Sequence, residues 1–319
     1  MPLRRDAGVQ ALEPVIVAAT RAAALACQPW LGRGQPAEAD AAATEAMRAA
    51  LANAAGTGTV VIGEGEKDSA PMLYNGERVG NGLGQAFDIA VDPLECTDNC
   101  ADGLPGALAT IAVGEAGSLW SPGPGLSMDK LVVAPAASEA IDLRESPESN
   151  LESVAGALGR PISDLRVVVL DKPRHGELIE RMRSAGASVS TPSAGDVAAS
   201  LEVLLPGGEN DLLMGIGGTP EGVMTATAVQ ALGGGMQARL APQSDSERAT
   251  LAAVGFEVDR VLALEDLVSG DSFFVACGVS GGRLLRRPWR SDGATLTESI
   301  VVSKGSVRRI VETSFEDGQ

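Results

Sequence analysis

Seven carboxylates fall within the 38 residues from Val60 to Thr97, most of them just after short apolar runs that predict strands. One apolar run ends at Ile62 and a second ends at Val91. The acids that follow these runs are Glu64, Glu66, Asp68, Asp92 and Glu95. Open α/β sheets place their ligand sites at the carboxyl ends of strands. The pattern therefore favours an α/β fold that gathers acidic loops at one edge of a sheet.

Carboxylates that converge repel one another unless a cation neutralises them. Pro93 predicts that the second strand stops and turns, so that Asp92 and Glu95 face one point. An ordinary polar turn is the alternative for this pair. Asp40 follows Glu38 in the first turn of a predicted helix, where acids are favoured by the helix dipole alone. With oxygen ligands only, the expected cation is Mg²⁺ or Mn²⁺, and the segment predicts a multi-metal site for phosphate.

Composition narrows the class of protein. The chain has 319 residues, 45% of them apolar, which is enough for one large α/β domain or two smaller ones. The 25 basic and 42 acidic residues give a net charge of −17, which argues against nucleic acid or anionic membrane partners. The four cysteines show no zinc-type spacing. We expect no signal peptide, and the apolar stretch 14–27 is predicted to be too short to span a membrane, so a cytoplasmic location is expected.

Two patterns of secondary structure divide the sequence. Ala-rich helices are predicted at 10–27 and 38–55, and strands near 59–63, 86–91 and 107–113. From residue 151 helices and strands alternate, which indicates a mostly parallel sheet, and strands return at 273–277, 297–302 and 307–313. The predicted domains are 1–150 and 151–319, with the acidic segment 145–152 as their junction.

Two loops in the second half suit an anion. Lys172-Pro173-Arg174-His175 follows a Val-rich strand and precedes a helix, although a solvated basic turn is equally compatible. His175 is the only histidine of the chain, and a lone histidine is more often structural than catalytic. The glycine turn Ile216–Gly222 could cradle an anion with its N–H groups, and Glu221 within it could be a cap or a metal ligand.

Taken together these segments resemble the class II fructose-1,6-bisphosphatases, within the metal-dependent, lithium-sensitive sugar phosphatase superfamily, over roughly residues 12 to 313. The resemblance implies a layered α/β sandwich. The motifs that carry it are Trp30-Leu-Gly-Arg-Gly34, Val61-Ile-Gly-Glu-Gly-Glu66, Asp88-Ile-Ala-Val-Asp-Pro-Leu-Glu95, Lys172-Pro-Arg-His175, Gly195-Asp-Val-Ala-Ala-Ser200 and Pro220-Glu-Gly-Val223.

The resemblance also implies roles for single residues and for the two halves. The implied metal ligands are Asp40, Glu64, Asp92, Glu95 and Glu221. Asp68 and Thr97 match positions that help to activate water. The implied substrate contacts are Glu95, Cys96, Thr97, Ser127, Lys172, Pro173, Arg174, Asp196 and Gly218. Metal binding is thus expected mainly in the first half, and sugar phosphate binding in the loops of the second.

The departures from the family pattern lie on the substrate side. Cys96 stands where the family has glycine, Ser127 where it has tyrosine, and Ala194 where it has an acid. The loop from Asp98 to Asp102 is unusually acidic. We therefore expect fructose 1,6-bisphosphate to be a poorer substrate here than in typical members of the family.

The leading hypothesis is a divalent-metal-dependent phosphatase with fructose 1,6-bisphosphate as its default substrate, working as a homodimer or homotetramer. The first alternative is a specialised relative that acts on another sugar phosphate. The second is a non-catalytic homologue that binds a sugar phosphate or a partner without turnover.

Overall fold

The computed structural model describes residues 8–63 and 73–315. Its residues group into two compact units. The first contains the chain up to Trp120 and again from Ser269 onward, and the second runs from Ser121 to Val268. These units differ from the predicted halves 1–150 and 151–319, because the C-terminal strands pair into the N-terminal sheet. The acidic segment 145–152, expected to be a domain junction, instead enters a helix inside the second unit.

The helices are Glu13–Ala26 (α1), Pro36–Leu51 (α2), Thr97–Asp102 (α3), Pro147–Leu158 (α4), Gly176–Ser184 (α5), Asp196–Leu204 (α6), Thr219–Leu232 (α7), Asp245–Ala253 (α8) and Leu264–Leu267 (α9). The strands are Thr57–Ile62 (β1), Arg78–Val79 (β2), Ala86–Glu95 (β3), Leu108–Glu115 (β4), Ser127–Val133 (β5), Arg166–Val168 (β6), Ser188–Ser190 (β7), Leu212–Gly218 (β8), Gly235–Leu240 (β9), Leu262–Ala263 (β10), Ser272–Gly278 (β11), Trp289–Ser291 (β12), Ala294–Ser303 (β13) and Ser306–Phe315 (β14).

The sheet of the first unit has the order β12-β13-β11-β4-β3-β1-β2, with β14 paired to β13. Only β1 and β3 pair in parallel, and the other described pairs are antiparallel. Helix α1 packs on β11 and β4, and α2 packs on β3. Small side chains allow this close packing: Ala19, Ala23, Ala39 and Ala43 are fully buried between the helices and the sheet.

The helical run Val9–Trp30 has 22 residues and a mean hydropathy of 1.3, so by length and composition it could cross a membrane. This run extends beyond the apolar stretch 14–27, which by itself is expected to be too short to span a membrane. Its apolar side chains, among them Ile16 and Ala23, are buried in the core of the first unit. Helices in the core of soluble proteins can have the same length and composition, so these properties alone are weak evidence for a membrane span.

The sheet of the second unit has the order β10-β9-β5-β8-β6-β7. Strand β6 pairs in parallel with β7 and with β8, as the βαβ pattern predicts. Strand β5 pairs antiparallel with β8 and with β9, and β10 pairs antiparallel with β9. The expectation of a mostly parallel sheet is thus wrong for this sheet, because β5 and β9, which alternation alone does not reveal, join it in antiparallel pairs. Both units nevertheless combine sheets with packed helices, and the predicted layered α/β class is confirmed.

Strand β3 continues through Pro93 to Glu95, contrary to the expectation that the proline ends it. Pro93 has no N–H, and the N–H of Leu94 donates to Asp92 Oδ1 at 3.0 Å instead of to the neighbouring strand. The register between β3 and β4 shifts at this point. Proline is tolerated inside strands at such irregularities because no ladder hydrogen bond is lost.

Candidate metal and substrate site

The irregularity in β3 brings two acidic side chains to one face of the sheet. Asp92 lies opposite Thr110 of β4, and Glu95 lies opposite Leu108, so three steps along β3 match two steps along β4. This is a one-residue bulge. Thr110 and Leu108 are two apart and share a face, and residues directly opposite one another share that face too. Asp92 and Glu95, 5% and 3% exposed, therefore lie on the same face. The sequence predicts that they face one point because the strand ends at Pro93, whereas in the structure a bulge brings them together.

Cys96 and Thr97 follow at the start of α3. Cys96 has φ of 62° and ψ of 51°, the left-handed region that glycine adopts without cost and other residues avoid. Cys96, expected from the resemblance to replace a glycine, thus lies at a position whose backbone favours glycine. The Thr97 hydroxyl donates to the carbonyl oxygen of Leu94 at 2.9 Å. Its oxygen is therefore left to accept a hydrogen bond from a ligand or a water.

The remaining predicted ligands of the first unit fall in two places. Asp40 is half-buried on α2 and, since the helix begins at Pro36, lies in the second turn and not in the first as expected. The helix dipole acts mainly on the first turn, so it accounts less well for an acid at this position. Glu64, Glu66 and Asp68 lie outside the described residues.

The second unit has a buried ion pair close to the glycine turn. Lys130 Nζ donates to Asp196 and to the carbonyl oxygen of Gly218, the latter at 3.0 Å. Lys130 is 1% exposed and Asp196 is 6% exposed. A Cβ on Gly217 would overlap the Asp196 carboxylate and approach Lys130 Nζ to 2.8 Å, so glycine is required for the strand to lie against the pair. Asp196, predicted to contact substrate, thus lies beside Gly218, another predicted contact.

Glu221 is in the first turn of α7, directly after β8 ends at Gly218. Its carboxylate folds back over Gly218, where a Cβ would overlap it. The predicted strand–turn–helix arrangement of this segment is present, and the glycine leaves room for an acidic side chain at the end of the strand. Ser127, half-buried on β5, lies directly opposite Gly218.

The basic loop connects β6 to α5 as predicted. His175 is 2% exposed: Nδ1 lies 2.7 Å from the carbonyl oxygen of Leu170, and Nε2 accepts from the N–H of Ile216 at 2.8 Å. The ring is therefore neutral and protonated on Nδ1. Burial lowers the pKa of His175 below its usual 6.5. With both nitrogens engaged by backbone, the histidine ties the loop to β8 and is not placed to move protons for a substrate.

Arg174 is exposed, and its Nη2 donates to the carbonyl oxygen of Ile216 at 2.8 Å. It lines a cavity of about 260 Å³ in the second unit. Arg239 and Asp129 line the same cavity and contact each other, Nη2 to Oδ2, at 3.1 Å. Sequence reasoning missed both residues, because β5 and β9 were not recognised as strands. Lys172 of the same loop is half-buried.

The described structure thus gathers the predicted residues in two groups, one in each unit. Asp92, Glu95, Cys96 and Thr97 lie within six residues around the end of β3, whereas Asp196, Gly218 and Glu221 lie together around the end of β8. Within residues 8–63 and 73–315, no group of three or more His, Cys, Asp or Glu side chains is arranged to hold a metal ion. The predicted donors are all carboxylate oxygens, which suit a hard divalent cation such as Mg²⁺ or Mn²⁺.

Comparison with known proteins agrees with the resemblance seen in the sequence. The family described as "Bacterial fructose-1,6-bisphosphatase, glpX-encoded" matches residues 10–314. The chain is 43% identical over 314 residues to fructose-1,6-bisphosphatase 1 class 2 of Escherichia coli strain K12, with 93% of each chain covered. Proteins named fructose-1,6-bisphosphatase class 2 from Escherichia coli O6:H1 and Shigella flexneri match with the same identity and coverage. The chain belongs to the class 2 fructose-1,6-bisphosphatase family of bacteria.

Proposed function

We propose that this protein is a phosphatase that hydrolyses fructose 1,6-bisphosphate to fructose 6-phosphate and inorganic phosphate with the help of divalent metal ions. The observation that carries the proposal is the bulged end of β3, which turns Asp92 and Glu95 to one face while both are buried. Burying two ionised carboxylates side by side is costly unless a cation or hydrogen bonds compensate them.

The metal ligands in this proposal are Asp40, Glu64, Asp92, Glu95 and Glu221, and the ions are Mg²⁺ or Mn²⁺. When bound, such ions offset the charge of the phosphoryl oxygens and lower the pKa of a water molecule. Support comes from the all-oxygen donor set and from Gly218, which leaves space for the Glu221 carboxylate.

Thr97 and Asp68 are proposed to orient the attacking water. Since the Thr97 hydroxyl already donates its hydrogen to Leu94, its oxygen can accept one from the water and so fix the direction of a lone pair. Orientation of this kind matters because phosphoryl transfer depends on an in-line approach to phosphorus.

The sugar and its second phosphate are proposed to lie against the remaining predicted contacts, namely Glu95, Cys96, Ser127, Lys172, Pro173, Arg174, Asp196 and Gly218. Lys172 and Arg174 would supply positive charge for the phosphate that is not hydrolysed. Arg174 is suited to this because its guanidinium is exposed and held at one nitrogen by Ile216.

A second candidate function is the hydrolysis of a different sugar phosphate. One observation favours it: Cys96 adopts a glycine-type backbone conformation while carrying a side chain beside the predicted phosphate site. A cysteine there occupies space into which a phosphate could otherwise approach the backbone.

A phosphate-release screen separates these functions. The purified protein would be assayed with fructose 1,6-bisphosphate, sedoheptulose 1,7-bisphosphate and hexose monophosphates, with Mn²⁺, with Mg²⁺ and with excess chelator. Metal-dependent release with the highest kcat/KM for fructose 1,6-bisphosphate supports the main proposal, and a preference for another sugar supports the second. Binding of fructose 6-phosphate without release from any substrate would refute both. We further propose a homodimeric or homotetrameric, cytoplasmic enzyme, which light scattering of the purified protein and cell fractionation would test.

A further inference from the structure

Three neighbouring strands of the second unit place Ile216, Asp129 and Arg239 in one row. Asp129 on β5 lies directly opposite Ile216 on β8 and directly opposite Arg239 on β9. Residues directly opposite one another in antiparallel strands share a face of the sheet. Adjacent strands are about 4.8 Å apart, so the backbones of Ile216 and Arg239 are separated by about 10 Å on that face.

A guanidinium group lies at each end of this row. Arg174 Nη2 donates to the carbonyl oxygen of Ile216 at 2.8 Å, and Arg239 Nη2 donates to Asp129 Oδ2 at 3.1 Å. Both arginines line the same cavity of about 260 Å³. A guanidinium has five N–H donors in a rigid fork, so one contact of this kind holds it in place without exhausting its capacity.

Two of the other polar side chains of the cavity wall, His175 and Asn150, are engaged by the fold, and the third, Glu145, is exposed. Both ring nitrogens of His175 contact backbone atoms. The Asn150 side chain accepts from the N–H of Asp142 and donates to the carbonyl oxygens of Asp142 and Ser146. Apolar wall is supplied by residues such as Met214. The groups best able to bind a charged ligand are therefore the two arginines.

The size of the cavity indicates what it could hold. Pockets that enclose a whole small ligand measure about 300–1,000 Å³. A volume of about 260 Å³ suits one end of a sugar phosphate. In a chain of net charge −17, Arg174 and Arg239 bring positive charge to a cavity whose two carboxylates are Asp129, which is paired with Arg239, and the solvent-exposed Glu145.

We infer that Arg239 is a second contact, beside Arg174, for the phosphate of a sugar bisphosphate that is not hydrolysed. Asp129 is its positioning residue, because its carboxylate holds the guanidinium toward the cavity. This inference rests on the proposed function. It adds to the predicted substrate contacts a residue on a strand that sequence patterns did not reveal.

The first test compares two substrates with one variant. In Arg239→Ala, kcat/KM for fructose 1,6-bisphosphate is expected to fall about 10- to 100-fold, the effect of losing a charge-assisted hydrogen bond. The value for fructose 1-phosphate, which has no second phosphate, is expected to stay within about twofold, because it never uses this contact. Arg239→Lys should recover part of the loss. Arg248→Ala, which removes the same charge from the exposed pair with Asp259, should change neither value. Equal losses for both substrates would show a merely structural role and overturn the inference.

The second test does not depend on turnover. Binding of fructose 6-phosphate would be measured by calorimetry in excess chelator for the wild type and for Arg239→Ala. We expect the Kd to rise about 10- to 100-fold in the variant. Equal binding by both proteins, or no binding by the wild type, would overturn the inference. Absence of phosphate release from fructose 1,6-bisphosphate would instead overturn the proposed function, so the two failures are distinguishable.

Discussion

Lys130 and Asp196 form an ion pair inside the second unit, where the two residues are 1% and 6% exposed. The pair crosses from the central strand β5 to the start of α6 and is held against the backbone of Gly217. Removing one partner of a buried pair leaves the other charge without compensation, and this costs more than the pair itself contributes. Its main effect is therefore expected on stability.

Replacing Lys130 by Met should destabilise the protein by about 3–5 kcal/mol, because the Asp196 carboxylate loses its compensating charge while staying buried. Urea unfolding at pH 7 measures this change. Lys304→Met is the control, since Lys304 pairs with Asp271 at the surface. It should leave the unfolding midpoint unchanged, and an equal shift in both variants would contradict the buried-pair explanation.

Replacing Cys96 by Gly should raise stability by about 1 kcal/mol, because glycine adopts φ of 62° without the cost that a Cβ imposes there. It should also raise kcat/KM for fructose 1,6-bisphosphate, since the phosphate can then approach the backbone. Asp292→Gly relieves a similar φ of 50° in the turn between β12 and β13. This control should gain stability without any change in kinetics. A Cys96→Gly enzyme with unchanged kinetics would contradict the expectation that Cys96 makes fructose 1,6-bisphosphate a poorer substrate.

Protonation of His175 should destabilise the second unit. Its pKa is lowered by burial, so the neutral ring contributes stability that is fully present above about pH 6.5 and is lost as the pH falls through the lower folded pKa. The single histidine makes the NMR titration unambiguous. We expect a folded pKa below 6.5 and a loss of unfolding free energy as the pH falls below 6.5. In His175→Gln, the share of this loss that comes from protonation of the imidazole ring should disappear. A folded pKa of His175 above 6.5 in the wild type would contradict the prediction.

Activity should depend absolutely on divalent metal, and Asp92→Asn should lower metal affinity and nearly abolish turnover while the fold is kept. Asp88→Asn is a matched control on the same strand: Asp88 is also buried, but its carboxylate accepts from the N–H groups of Gly117 and Leu119. This control should lose stability and retain metal binding. Calorimetric titration with Mn²⁺ and assays in chelator check both variants, and full activity without metal would exclude the proposed mechanism.

Replacing Arg174 by Ala should lower kcat/KM if the guanidinium binds phosphate through charge-assisted hydrogen bonds. The expected loss of transition-state stabilisation is about 2–3 kcal/mol. Steady-state kinetics with fructose 1,6-bisphosphate measures the effect. Arg166→Ala, an exposed arginine on β6 of the same unit, serves as the control for loss of charge and should behave as wild type. Unchanged kinetics in Arg174→Ala would remove this loop from the proposed site.

Much of the local structure could be predicted from the sequence. Helices α1 and α2 lie within a few residues of their predicted positions, and helices alternate with strands after residue 151 as predicted, because apolar periodicity and flanking Gly and Pro residues act locally. The loop that contains Arg174 and the turn that contains Glu221 were also predicted, since both follow β-branched or apolar runs and precede helices. These signals lie in neighbouring residues and need no tertiary contact.

What the sequence by itself determined is part of the secondary structure, the family, and the acidic and basic segments that bear the chemistry. Tertiary structure alone decided how strands pair and which side chains share a face. Pro93 predicts the end of a strand, yet β3 continues past it because it pairs with β4. The bulge at this point places Asp92 and Glu95 on the same face. Arg239 becomes part of a candidate site only because β9 lies beside β5, a pairing set by long-range hydrogen bonds that no local pattern encodes.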